Sequence, residues 1–175
     1  MADWMKLVKK CIAQKEQNDW RNRITKSKLL LYSKIKSELC QEEYILLLPT
    51  WSRRIFLMLR AGASQLRIET GRRIKEPRHL RTCRACVSNQ IEDESHFMFY
   101  CPIYDRQREE LLKEIFEKTD LHYNLSSCLD DHNFLLDAMI GRGFPDKKTR
   151  EIVCLAVAKF LKRAFRRRKI FVPLE

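Results

Sequence analysis

Three cysteines and one histidine lie close together between residues 83 and 101, and they offer the donor atoms of a zinc site. Cys83 and Cys86 form a C-x2-C pair, His96 follows after nine residues, and Cys101 follows after four more. Structural zinc ions take four ligands in a tetrahedron, commonly thiolates with neutral imidazole. The spacing therefore predicts a closed CCHC zinc site, and the alternative is a chance grouping of three core cysteines and a surface histidine.

The same residues argue against catalysis. Four protein ligands leave no coordination position for water, which a catalytic zinc ion needs. The chain has no glycine-rich phosphate loop, no dinucleotide motif and no H-E-x-x-H motif, and the acidic pair Asp130 and Asp131 lacks further spaced carboxylates. We therefore expect no enzymatic activity, no catalytic residues and no small-molecule substrate. A redox enzyme built on the C-x2-C pair is an alternative that bound zinc would exclude.

Helices must position the ligands, because apolar residues recur at helical spacing along most of the chain. The pattern predicts a mainly α fold with a small irregular CCHC zinc-binding segment inserted between helices. Residues 1–62, 63–118 and 119–175 are expected to form one compact domain, with an N-terminal helical segment, a zinc-binding segment with a following helix, and C-terminal helices with a basic end. Helices are predicted over 3–17, from about 27, and over 42–48, 51–60, 102–116, 133–140 and 147–168. Alternating Leu66 and Ile68 predict an extended segment over 65–73. At the zinc site, Glu94 is predicted to accept the ring N–H of His96 that does not face the metal.

Basic residues are concentrated in two blocks, and this distribution suggests a polyanionic partner. The formal net charge is +12, yet residues 53–86 contribute +8 and residues 159–169 contribute +7. Clustered Lys and Arg form the electrostatic footprint of proteins that bind nucleic acids. The alternative interpretation is two solvated faces kept for solubility. The predicted phosphate contacts are Arg72, Arg73, Lys75, Arg78, Arg81, Arg84, Arg166, Arg167, Arg168 and Lys169.

The cysteine content and hydropathy predict a nuclear or cytoplasmic protein. No run of about 18 apolar residues is present, so no membrane contact is expected. Seven cysteines without a secretion signal favour reduced thiols over a disulfide framework. The four cysteines outside the CCHC spacing are predicted to be small buried residues: Cys11, Cys40, Cys128 and Cys154.

Several motifs resemble the reverse-transcriptase zinc-binding domain of non-LTR retrotransposons. These are L-R-A-G-A-S-Q-L-R-I-E-T-G-R, R-T-C-R-A-C and I-E-D-E-S-H-F-M-F-Y-C-P-I-Y-D-R-Q-R, and the resemblance covers about residues 20–116. The sharpest parts are E-D-E-x-H-F and C-P-x-Y-x-x-x-R. The resemblance implies that Cys83, Cys86, His96 and Cys101 bind zinc and that the chain associates with RNA or DNA.

The chain carries no polymerase or endonuclease motif, so we expect a stand-alone fragment or host-adopted remnant that performs no reverse transcription. Binding is expected to be directed at the phosphate backbone, with little sequence choice. Phe99 or Tyr100 could stack on bases, or both could be core residues. Two further alternatives remain open: a zinc-shaped protein–protein interaction scaffold, and a folded remnant without function.

Overall fold

The computed structural model describes residues 2–27, 32–33, 36–119 and 146–172 of the 175-residue chain. Its helices are α1 (Ala2–Thr25), α2 (Glu43–Leu47), α3 (Thr50–Arg60), α4 (Arg67–Arg73), α5 (Asp105–Lys118) and α6 (Lys147–Phe171). Within these ranges β structure is limited to one antiparallel bridge, between Thr82 and Ile91. The predicted fold class, mainly α with a CCHC segment between helices, is confirmed. The predicted helix over 133–140 lies outside the described residues.

Helices α5 and α6 pack against each other in opposite directions and form the centre of the core. Two ion pairs between them, and one bond from α6 to the turn that precedes α5, follow one another in reverse order along the chain. They run from the Lys159 ammonium to the Glu114 carboxylate (2.5 Å), from the Arg163 guanidinium to the Glu110 carboxylate (2.8 Å), and from the Arg167 Nε to the Ile103 carbonyl (2.9 Å). Between these links the apolar faces of the two helices are buried, and burial of each large apolar side chain stabilises the fold by about 1.5–3 kcal/mol. The α5–α6 pair therefore provides the support on which the smaller elements rest.

Helices α2 and α3 cover another side of α6. The rings of Tyr44 in α2 and Phe56 in α3 stack with centroids 5.5 Å apart. The Arg60 guanidinium is buried, lies 5.0 Å from the centre of the Tyr44 ring and pairs with the Glu42 carboxylate at 2.8 Å. Arg150 at the start of α6 reaches Glu43 at 2.7 Å. One cation of the first basic block, Arg60, thus belongs to the core.

Helix α1 has few contacts with the rest of the described chain. It is longer than the predicted helix over 3–17, and its apolar residues Trp4, Leu7 and Ile12 are exposed. Gln17 holds its C-terminal half through bonds to the Ser37 carbonyl (3.2 Å) and the Leu39 N–H (2.7 Å). Of the helix predicted from about 27, residues 32–33 are helical and residues 36–42 are irregular; residues 28–31 and 34–35 lie outside the described residues.

Helix α4 corrects the prediction of an extended segment over 65–73. Its N-terminus is capped by a residue that is distant in the sequence, because the Arg67 N–H donates to the Glu92 Oε2 at 2.8 Å. Helix starts leave N–H groups without partners, and an acceptor there stabilises the helix. The alternation of Leu66 and Ile68 is also compatible with a short helix that buries both residues. Gly71 lies inside this helix, where the side chains of Glu76 and Arg81 occupy the space that a Cβ would take.

Candidate metal centre

Cys83, Cys86, His96 and Cys101 converge on one point, so that all their ligand atoms lie within 4.8 Å of one another. The Cys83 and Cys101 sulfurs are 3.9 Å apart, and the Cys86 sulfur is 3.4 Å from the His96 Nε2. A tetrahedral zinc ion with ordinary Zn–S and Zn–N lengths separates two sulfurs by about 3.8 Å, and a sulfur and a nitrogen by about 3.5 Å. These two pairs therefore fit a tetrahedral ion, and the cluster can hold a metal.

A hairpin-like turn positions the first pair of cysteines. The Cys83 N–H donates to the Gln90 carbonyl at 2.8 Å, and the Glu92 N–H donates to the Arg81 carbonyl at 2.9 Å. Asn89 turns the chain with a φ of 54°, a left-handed conformation that asparagine tolerates better than most residues. Cys83 and Cys86 are thereby held on the same side of the turn, as metal binding requires.

A wide helical turn over His96–Tyr100 positions the second pair. The Cys101 N–H donates to the His96 carbonyl at 2.8 Å, which spans five residues rather than the four of an α-helix. The Asp93 carboxylate accepts the His96 N–H at 2.9 Å and so caps the start of this turn. Phe97 and Met98 are fully buried beneath it. The imidazole and the Cys101 thiol therefore leave the turn on one face while the apolar residues anchor the other.

The tautomer of His96 is set by Gln90. The His96 Nδ1 lies 2.9 Å from the Gln90 Oε1, so Nδ1–H donates to this amide oxygen and the Nε2 lone pair is left for the metal. This corrects the prediction that Glu94 has this role. Glu94 is instead a half-buried carboxyl whose pKa is raised to about 7, chiefly by desolvation. The hairpin turn explains the difference, because it places Gln90 beside the ring.

The thiols have opposing pKa shifts. The pKa of the Cys83 thiol is lowered. The largest cause is the hydrogen bond with the Cys101 thiol, and smaller causes are His96 and the backbone N–H groups of Ala85 and Cys86. The same contact with Cys83, together with burial, raises the pKa of the Cys101 thiol, because two adjacent thiolates repel each other. A divalent cation between the sulfurs would remove this conflict and allow both to ionise. The donor set is thus matched to a thiophilic metal.

Glu92 connects the candidate metal centre to the far end of α6. Its carboxylate is fully buried, and its two oxygens lie 2.7 and 2.8 Å from the Nε and Nη2 atoms of Arg168. Its Oε2 also accepts the Arg67 N–H that begins α4. Sequence reasoning missed this pair because the two residues are 76 positions apart. The signal available in the sequence was Glu92 itself, the first residue of the E-D-E-x-H-F motif.

The motif residues that surround the ligands have defined structural roles. Phe97 packs edge-on against Tyr104 at 4.8 Å and stacks on Phe165 of α6 at 4.8 Å. The Arg108 guanidinium donates to the Cys101 carbonyl at 2.6 Å. The E-D-E-x-H-F and C-P-x-Y-x-x-x-R motifs therefore contain ligands of the metal loop together with residues that hold this loop against the core.

Comparison with known proteins gives no match: no protein-family model, no curated protein and no solved structure is significantly similar to this chain. What the structure establishes is a helical protein with a buried Cys3His cluster able to bind a metal. No helix among the described residues combines the length and apolar character needed to cross a bilayer.

The predicted phosphate contacts fall into two groups. Arg72 pairs with Glu69, and Arg81 donates to the Ile68 and Glu76 carbonyls at 2.6–3.1 Å, so both are engaged within the fold. Arg168 is only 3% exposed, and this corrects its predicted role from a surface contact to a member of the core. The remaining seven are exposed, although Arg167 also donates to the Ile103 carbonyl, and for them the contact stays a prediction: Arg73, Lys75, Arg78, Arg84, Arg166, Arg167 and Lys169.

The predictions for the other side chains had mixed outcomes. Cys154 is buried as predicted, whereas Cys11 and Cys40 are exposed. Cys128 lies outside the described residues, as do Asp130 and Asp131. Of the two candidate stacking residues, Phe99 is partly buried against the core and Tyr100 is 46% exposed.

Proposed function

We propose that this chain is a non-catalytic nucleic-acid-binding module whose fold is stabilised by zinc, and that it derives from the zinc-binding domain of a non-LTR retrotransposon. The convergence of three thiols and one Nε2 at tetrahedral spacing carries the zinc assignment. Thiolate-rich sites with four protein ligands favour zinc as a structural ion. Zinc binding would contribute on the order of 10 kcal/mol to folding, by analogy with zinc-finger peptides.

The nucleic-acid part of the proposal is supported by exposed cations that are close in sequence to the metal ligands. Arg84 lies between two ligands in the sequence, and Arg73, Lys75 and Arg78 precede the first of them. The side chain of Arg78 is 59% exposed, and its nearest carboxylate, that of Asp93, is 3.5 Å away. Such an exposed ion pair is weak and leaves the Arg78 guanidinium accessible. Zinc would fix the loop that carries Arg84, and phosphate contacts of this kind give affinity for RNA or DNA with little sequence choice.

Two measurements on the same sample test the proposal. Metal analysis of the purified protein should find one zinc ion per chain, and Cys83→Ser should lower that ratio and the thermal midpoint. Binding of a labelled 15-nucleotide strand should then be followed against salt. If all seven exposed cations contact phosphates, affinity should fall about a thousandfold between about 50 and 200 mM salt. Binding that ignores salt, or no binding at low salt, would contradict the nucleic-acid assignment without affecting the zinc assignment.

A charge-reversal variant locates the contact. Arg73→Glu, Lys75→Glu and Arg84→Glu together should reduce affinity at least tenfold, because three attractive phosphate contacts become repulsive. The matched control reverses three exposed lysines on α1: Lys6, Lys9 and Lys10. Equal losses in the two variants would indicate a general effect of net charge and would argue against a defined surface near the metal.

A protein-interaction scaffold is the second candidate, and α1 is the observation that favours it. Trp4, Leu7 and Ile12 lie on α1 with 53–66% of their surface exposed, which is unusual for a group of large apolar residues. Under this alternative, zinc only shapes the fold and partner capture depends on α1. Trp4→Ala with Leu7→Ala should then abolish capture, while the charge-reversal variant should retain it.

A further inference from the structure

The second basic block separates into two sets when the contacts of α6 are considered. Lys159 and Arg163 are bound to carboxylates of α5, Arg167 is bound to the Ile103 carbonyl just before α5, and Arg168 is bound to Glu92. The other cations are Lys162, Arg166 and Lys169, which follow one another at i, i+4 and i+7. Residues at this spacing share one face of a helix. The helix therefore has one basic stripe used by the fold and a second stripe that faces elsewhere.

The second stripe lines a groove between α6 and α3. Ile55 and Met58 of α3, together with Phe165 of α6, contribute apolar lining, and Lys162, Arg166 and Lys169 line the same groove. Its volume is about 170 Å³. Within the described part of the chain, no carboxylate lies within ion-pair distance of these three cations. An apolar lining combined with three such cations fits a ligand that is both anionic and partly apolar.

Trp51 lies at the same surface. The Lys162 ammonium is 4.6 Å from the centre of its ring, and 41% of the Trp51 surface is exposed. Exposed aromatic rings beside cations are the elements with which proteins bind unpaired bases and their phosphates.

We propose that the α3–α6 groove binds single-stranded nucleic acid, with one base against the apolar lining or the Trp51 ring and the adjacent phosphates on Lys162, Arg166 and Lys169. This inference rests on the proposed function and adds to it a second site and a preference for unpaired strands. The groove is smaller than the roughly 300–1,000 Å³ of pockets that enclose a whole ligand, so it accommodates one group of an extended ligand. A base inside a duplex is stacked on both faces and cannot enter it.

The groove is mechanically connected to the candidate metal centre. Phe165 lines the groove and stacks on Phe97, the residue that follows His96. Arg168, in the turn between Arg166 and Lys169, is bound to Glu92 of the metal loop. Loss of the metal should therefore disturb the wall of the groove as well as the loop itself.

Neutralisation of the stripe tests the proposal. The test variant combines Lys162→Gln, Arg166→Gln and Lys169→Gln. Its affinity for fluorescein-labelled (dT)15 is measured by anisotropy at a series of salt concentrations. The slope of log affinity against log salt should decrease by about 2, at about 0.7 for each single-strand phosphate. The control neutralises three exposed lysines away from the groove, Lys113, Lys147 and Lys148, and should retain the slope. Zinc content and circular dichroism confirm the fold, and the three single variants, each expected to lower the slope by about 0.7, replace the triple variant if it is unstable.

Tryptophan fluorescence gives a readout that depends on position. The chain has three tryptophans, so Trp4→Phe with Trp20→Phe leaves Trp51 as the only one. Adding (dT)15 should quench Trp51, and the neutralised stripe should abolish the quenching.

The outcomes separate this inference from the proposed function. If the triple variant keeps the wild-type slope while reversal of Arg73, Lys75 and Arg84 removes binding, the groove proposal is wrong and the proposed function stands. If the protein binds no oligonucleotide at low salt, both are wrong. Equal affinity for a 15-base-pair duplex, or binding to phosphatidylserine vesicles in place of (dT)15, would also overturn the groove assignment.

Discussion

Replacing Glu92 with glutamine should destabilise this protein more than its small change in shape suggests. The substitution keeps an oxygen that can accept the Arg67 N–H, but it removes the negative charge that faces Arg168. Both partners are almost completely buried, with side chains 1% and 4% exposed. Removing one member of a buried pair leaves the other charge without compensation and costs about 3–5 kcal/mol. That is a large part of the roughly 5–15 kcal/mol by which ordinary domains are stable.

Urea unfolding of the zinc-saturated protein, followed by far-ultraviolet circular dichroism, measures this loss as a lower midpoint at unchanged slope. Glu117→Gln is the matched control, because Glu117 makes only a distant pair with Lys113 (3.8 Å), with both side chains exposed. Such a pair contributes about 0–1 kcal/mol. The double variant Glu92→Gln/Arg168→Gln should cost much less than the sum of its single variants, because it leaves no buried charge. A Glu92→Gln protein no less stable than Glu117→Gln would refute the reasoning.

Two further substitutions test the local geometry. Gln90→Ala removes the acceptor of the His96 ring N–H and should weaken zinc binding by about 10- to 100-fold in competition with a chromogenic chelator. Glu94→Gln should leave zinc affinity within about twofold, and the opposite ranking would show that the carboxylate orients the imidazole. Gly71→Ala places a Cβ against the Glu76 carboxylate and 2.7 Å from the Arg81 Cγ, and it should lower the free energy of unfolding in urea by about 1–3 kcal/mol, so an unchanged midpoint would contradict this packing.

The ligand set could be predicted from sequence because each ligand pair is local. Cys83 and Cys86 are joined by one turn, and His96 and Cys101 by another, so spacing alone brings each pair together. Helices α3 and α6 are long enough for apolar periodicity to indicate them, and both begin within one residue of their predicted positions. The two basic blocks could also be recognised directly from the local density of Lys and Arg in the sequence.

The remaining features depend on contacts between distant residues. Helix α4 is short, and the Glu92 carboxylate that accepts its first N–H comes 25 residues later, so local pattern favoured the wrong structure. The choice of Gln90 over Glu94 follows from the path of a turn that spacing cannot specify. The interior position of Arg168 likewise follows from packing, because a run of four basic residues gives no indication of which one turns inward.

The Glu92–Arg168 pair also affects the order in which the chain can fold during synthesis. All four ligands have been made once Cys101 is added, and Arg168 follows 67 residues later. At ordinary translation speeds that interval lasts roughly 3 to 13 s. The loop can therefore take up its metal while the helix that secures it does not yet exist. During those seconds Glu92 lacks its cation and the apolar side chains beneath the loop lack their cover, so this nascent state is the one most exposed to chaperones and to aggregation.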